Sequence, residues 1–119
     1  MRIGRRECTL SVFTAALYIH CMFIINLNYT APLEQIDAAM GEHMKFLRTY
    51  YKKNVFVASG RKVPRTGGII LALAKSKEEV EQIMAEDPFC KLQLAEFTVI
   101  EFLTSQFHSD LKMLLKLTS

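Results

Sequence analysis

Between Phe23 and Leu103 the hydrophobic pattern changes period from segment to segment, and the order of those changes leaves few topologies open. Phe23–Tyr29 has the β-branched and aromatic content of a strand. From about Pro32 to Lys53 the period becomes helical. Leu33, Ile36, Met40, His43, Leu47 and Tyr50 step by threes and fours along one face. Thr30 is an N-cap residue type, Pro32 suits a first helical turn, and Asn54 suits a left-handed stop. Val55–Ser59 reads as a second strand, Gly60–Gly68 as a loop, and Ile69–Ala74 as a third strand, apolar at every position. Ser76-Lys77-Glu78-Glu79 is a capping box opening a second helix that buries Val80, Ile83 and Met84. That helix is expected to end at Asp87, because Pro88 pushes the residue before it out of helical geometry. A fourth strand lies within Leu92–Leu103. Ser105 then caps a short C-terminal helix with the stripe Phe107, Leu111, Leu114 and Leu115.

The order is β-α-β-β-α-β plus a C-terminal helix: an α+β, ferredoxin-like plan with an antiparallel sheet. Two helices cover only one face of such a sheet. The third strand is nevertheless apolar on both faces, and the fourth carries Phe97 and Val99 on one face and Ile100 and Phe102 on the other. An uncovered apolar face implies a partner. The economical partner is a second copy, giving a homodimer with its sheets packed face to face.

At 119 residues the chain is sized for one domain, and 50% hydrophobic with 23% charged residues is globular rather than disordered composition. A net charge of +3 without a concentrated basic patch argues against nucleic acid. Cys8, Cys21 and Cys90 are odd in number and irregularly spaced, which fits neither a disulfide framework nor a zinc pattern, so a cytoplasmic location is expected. The N-terminus is ambiguous. Arg2, Arg5 and Arg6 precede an uncharged run from Cys8 to Leu27, a length of about 20 residues that suits a bilayer, and the same order begins a signal peptide. Yet the domain needs Phe23–Tyr29 as a strand, and no small-x-small cleavage site precedes Met22. Residues 1–21 are therefore read as a leader outside the domain, with a signal or anchor and an added structural element as the alternatives. Residues 22–104 form the domain and 105–119 the C-terminal helix; no membrane partner is expected.

His43 is the polar exception in the apolar stripe. Burying an imidazole without a partner costs free energy. Asp87 is the candidate partner, and it needs one too, since a carboxylate at a helix C-terminus is disfavoured by the dipole. With an unperturbed pKa of about 6.5, a His oriented by a carboxylate is suited to general acid–base work. Taken alone, such a His is ordinarily a satisfied core residue and Asp before Pro a turn residue. Arg61, Lys62 and Arg65 bring three cations close together to hold an anionic group, Arg65 being the best bidentate donor; their ordinary reading is a solvated loop. Ser59 either bonds a ligand or ends its strand. Phe89 and Tyr50 either line a pocket or pack the core. Cys90 has no evident partner for a nucleophile. No metal-ligand spacing, phosphate loop or nucleotide fingerprint appears, so neither metal nor cofactor is expected.

From Met22 to about Phe102 the chain resembles the YCII-related (YciI-like) domain family. The resemblance rests on His43 in Gly41-Glu42-His43-Met44-Lys45-Phe46-Leu47, on Ser59-Gly60 ending the second strand, and on Asp87-Pro88-Phe89 after the second helix. The loop Val63-Pro64-Arg65-Thr66-Gly67-Gly68-Ile69-Ile70 is similar to one subgroup of that family. The resemblance implies a dimeric α/β barrel with a His43–Asp87 pair facing a pocket; beside that pair, Ser59, Gly60, Arg65 and Phe89 are the expected substrate-binding residues. It also implies proton transfer on small molecules: some relatives are linked to dehalogenating elimination on substituted hydroquinones, and the wider superfamily includes muconolactone isomerases. Two functions follow as expectations. One is a cofactor-independent lyase or isomerase acting on a small aromatic or lactone-like molecule. The other is a non-catalytic dimeric small-molecule-binding or accessory protein.

Overall fold

The computed structural model describes residues 20–114. The elements are β1 (His20–Tyr29), α1 (Leu33–Lys52), β2 (Phe56–Arg61), β3 (Gly67–Leu73), α2 (Lys77–Met84), α3 (Pro88–Lys91) and β4 (Ala95–Thr104), followed by a 3-10 turn at Ser109–Leu111. The four strands form one sheet in the order β2-β3-β1-β4, and every neighbouring pair is antiparallel. This is the ferredoxin-like arrangement expected from the order of periodicities.

Several local signals act as expected. Asn54 ends α1 in the left-handed region at φ 62. Ser76 caps α2 by accepting from the Glu79 amide at 3.1 Å, and Glu79 reaches back to the Lys75 amide at 2.8 Å. Others differ. Thr30 does not cap α1; its hydroxyl donates to the Gln93 carbonyl, and Pro32 occupies the N-cap position. α2 stops at Met84 rather than Asp87, because Asp87 instead caps the separate turn of helix α3, with Pro88 at its start. Gly60–Gly68 is not all loop: Gly60 pairs with Ile69 and Arg61 with Gly68, so β2 and β3 extend into it. Ser105 is not the cap of the C-terminal segment; the His108 ring accepts from the Asp110 amide. β1 begins at His20, pairing with Thr104. The reading of a leader falls on residues 1–19 otherwise and lies outside the described residues, as does Leu115. Cys21 is disulfide-bonded, which the cysteine spacing did not indicate.

Strand alternation divides the side chains between two faces. Phe23, Ile25 and Leu27 of β1 and Ile70 and Ala72 of β3 are buried beneath the helices, against Ile36, Val80, Met84 and Phe89. An aromatic group of Phe46, Tyr50 and Phe56, with ring centroids 5.4 to 5.7 Å apart, closes one end of this core. On the opposite face, Met22 and Leu73 are covered by Phe107, Leu111 and Leu114 from the C-terminal segment. Ile24, Leu71 and Ile100 align across the same face, and there Ile100 is 56% and neighbouring Phe102 39% exposed.

Two glycines set opposite limits on this fold. A Cβ at Gly67 would lie 1.9 Å from the Leu27 carbonyl oxygen, whereas one at exposed Gly41 in α1 would meet nothing within 4 Å. Gly67→Ala is expected to destabilise by about 1–3 kcal/mol through forced backbone movement. Gly41→Ala is expected to stabilise by up to about 1 kcal/mol. Urea midpoints of the two variants, moving in opposite directions from the parent, check both.

Candidate functional site

The helix α1 carries two adjacent stripes. Ile36, Ala39, His43, Phe46 and Tyr50 point into the core. Asp37, Met40, Met44 and Leu47, one step around the helix, line a pocket of about 490 Å³ between the helix and the sheet. That volume is within the range of ~300–1,000 Å³ usual for ligand sites. His43 lies at the seam between the stripes and forms part of the pocket wall.

Asp87 stands behind it, fully buried. Its Oδ1 lies 2.8 Å from His43 Nδ1 and accepts the Phe89 amide at 3.0 Å. Asp87 therefore sits at a helix N-terminus rather than the expected C-terminus, and the amides of α3 favour its charge. The imidazole is also stacked on the Phe89 ring, with centroids 4.0 Å apart and planes 8° from parallel. A carboxylate cannot donate, so with a neutral imidazole Nδ1 carries the hydrogen and Nε2 keeps its lone pair. Nε2 takes no hydrogen bond from the described residues.

The structure brings Ser59, Gly60, Arg65 and Phe89 onto the same pocket as His43. Ser59 is there because of a β-bulge. Phe56 pairs with Ala72 on the helix side, but a register shift follows between Phe56 and Ala58. The extra residue reverses the alternation, so Ser59 and Arg61, opposite Ile70 and Gly68, also face the helices. The Ser59 and Tyr51 hydroxyls are hydrogen-bonded at 2.6 Å. Arg65 is paired with Asp37. The Asp37 carboxylate, aided by the Tyr29 phenol, holds the guanidinium still more firmly in its charged form. Lys62 donates to Asn28 at 2.6 Å.

Other residues do not join the site. Tyr50 is core; its hydroxyl donates to Glu86 at 2.6 Å. Burial, then Glu86, push its phenol up to about 12. Cys90 is a half-buried free thiol raised to about 12, first by burial and then by the Asp87 charge. Tyr29, Asp37 and Met44 line the pocket although the sequence reading names none of them as a site residue, and Met40 joins them from the apolar stripe. Tyr29 had a usable signal, since Phe23, Ile25, Leu27 and Tyr29 alternate onto one face. Among the described residues no group of three or more His, Cys, Asp or Glu side chains is arranged to hold a metal ion. No helix among them is long and apolar enough to cross a membrane.

A ferredoxin-like sheet with a buried His–Asp pair behind a pocket defines an α+β domain with a candidate site. Residues 22–103 match the model of the YCII-related domain, and the chain belongs to that family. A solved structure of similar fold is 5-chloro-2-hydroxyhydroquinone dehydrochlorinase from Burkholderia phenoliruptrix AC1100, in complex with 2,5-dihydroxybenzoquinone. The likeness has a TM-score of 0.55 at 19% identity, over 75% of this chain and 96% of that one. No curated protein sequence matched the chain.

The raised thiol gives a direct test of the Cys90 environment. A thiol whose folded pKa lies above its unfolded value stays protonated, and therefore unreactive, through the mildly alkaline range. Iodoacetamide labelling of the Cys90 peptide, followed by mass spectrometry, is expected to be slow in the native protein and at least about tenfold faster in urea.

Proposed function

We propose that this YCII-related protein is a cofactor-independent lyase or isomerase that moves a proton on a small aromatic or lactone-like molecule. The observation that carries the reading is the 2.8 Å contact between His43 Nδ1 and buried Asp87, placed on the wall of an open pocket. In this role His43 Nε2 is the base, and Asp87 fixes the tautomer and stabilises the imidazolium once the proton has moved. Ser59, Gly60, Arg65 and Phe89 line the pocket that would receive the substrate. The dehydrochlorinase of similar fold gives one concrete chemistry. In an elimination of that kind the base takes a ring-system proton, the released electron pair moves into the ring, and chloride leaves with its own bonding pair. An isomerisation needs still less: the same nitrogen removes a proton and returns it at another carbon. Parallel stacking on Phe89 holds the imidazole plane while the charge changes.

His43→Gln and Asp87→Asn keep side-chain size and polarity, and each is expected to lower turnover of a chlorinated hydroxyhydroquinone or a muconolactone by roughly 10²–10⁴-fold. Folding is checked by circular dichroism. Turnover of that panel by the parent, retained in either variant, defeats the proton-transfer reading; a parent that binds without turning anything over supports the accessory-protein reading instead.

The working unit in this proposal is a homodimer formed through the open sheet face. Ile24, Leu71, Ile100 and Phe102 make an apolar surface there whose exposure in a lone chain is unfavourable. Ile100→Lys is expected to convert the parent's dimer mass to monomer mass in light scattering after gel filtration. A parent that stays monomeric at tens of micromolar overturns the dimer.

A further inference from the structure

The loop between β2 and β3 and its flanks carry three cations, and the structure disposes of two. Lys62 donates to Asn28. Arg65 is engaged by Asp37, with Tyr29 alongside. Arg61 has no hydrogen bond or ion pair among the described residues, and it lines the pocket. The β2 bulge places it on the helix-facing side, directly across from Gly68, which has no side chain to shield it. Asp87 contributes no free charge to the pocket, because it lies fully buried behind His43. The same pocket is lined by Met40, Leu47 and Phe89, which are apolar and include one aromatic residue. A guanidinium beside such walls is matched by a ligand with one planar apolar body and one ionised acidic oxygen group, which accepts two parallel N–H bonds.

We infer that Arg61, rather than Arg65, is the anion-recognition residue of this pocket, and that its ligands are small planar molecules carrying an acidic enolate, phenolate or carboxylate group. The Arg65–Asp37 pair is a neutral unit that ties the loop to α1 at the pocket's edge. This inference rests on the pocket being a small-molecule site, and it is independent of whether that molecule is turned over.

The experiment is calorimetric binding of two probes at low ionic strength. 2,5-Dihydroxybenzoquinone is a vinylogous acid and anionic near neutrality; its 2,5-dimethoxy analogue is flat and neutral. The parent is expected to prefer the anion. Arg61→Gln, a change at an exposed edge-strand position, is expected to weaken anion binding by at least about tenfold and to leave the neutral probe unaffected. Asp37→Asn, which frees Arg65, is expected to tighten anion binding. Removing both charges in Asp37→Asn/Arg65→Gln is expected to cost less than Arg61→Gln alone. Equal or undetectable binding of the two probes by the parent overturns the inference, as does an Arg61→Gln protein that still prefers the anion. A double variant that loses as much as Arg61→Gln makes Arg65 an equal contributor and overturns the assignment to Arg61 rather than Arg65. His43→Gln separates this inference from the catalytic one: intact anion preference without turnover leaves both standing, intact preference with retained turnover defeats only the catalytic reading, and lost preference without turnover defeats only the inference about Arg61.

Discussion

The structure turns on one buried carboxylate. Taking Asp87 fully out of water is costly, and the cost is offset only by the groups that meet its oxygens. Oδ1 meets two of them: the Phe89 amide, which belongs to the same turn of helix, and His43, which lies 44 residues away on α1. Oδ2 is buried without a protein partner among the described residues, so the Oδ1 contacts carry the compensation. One hydrogen bond therefore joins α1 to α3 and fixes the imidazole orientation, while Phe89 fixes its plane. Stability and the proposed chemistry share this interaction. The geometry that compensates Asp87 engages Nδ1 and leaves Nε2 without a hydrogen bond among the described residues, which is what the proposed base role requires.

How much of this was legible depends on whether a residue breaks a pattern. His43 was legible because a polar ring interrupts an apolar helical stripe, and burial makes that interruption costly. The element order was legible because each segment has its own period. The role of Asp87 as a cap was not, because Asp-Pro reads two ways: proline ends the helix before it and also begins one well. Leu33 completes the stripe in sequence but is 43% exposed, since the helix outruns the core at that end. The glycines of Gly60–Gly68 suggested turns, yet Gly67 lies in a strand because its backbone passes too close to Leu27 for any side chain.

The β2 bulge was the least legible feature and has the largest effect on the site. A strand of regular alternation that buried Phe56 would send Ser59 and Arg61 to the other side of the sheet. One extra residue between Phe56 and Ala58 reverses that assignment. Nothing in the composition of Phe56–Arg61 marks the insertion, because it changes hydrogen-bond register without needing a particular residue type. A sequence reading names residues more reliably than it aims them, and Arg61 shows the difference. By composition it is one of three neighbouring cations; by register it is the one that both faces the pocket and lacks a partner among the described residues.

The division of the sheet into two faces also keeps the proposed dimer from competing with the pocket. His43, Ser59 and Arg61 all lie on the helix side. The apolar row of Leu71, Ile24 and Ile100 lies on the other side, and the C-terminal segment covers only the Met22–Leu73 end of that face. A second copy seated on the row would remove apolar surface from water at roughly 25 cal/mol per Å² before the costs of association. It would do so through the backs of the strands that carry the pocket floor. Association would then stiffen β1 and β3 beneath the site while leaving the gap between α1 and the β2–β3 loop open to a ligand.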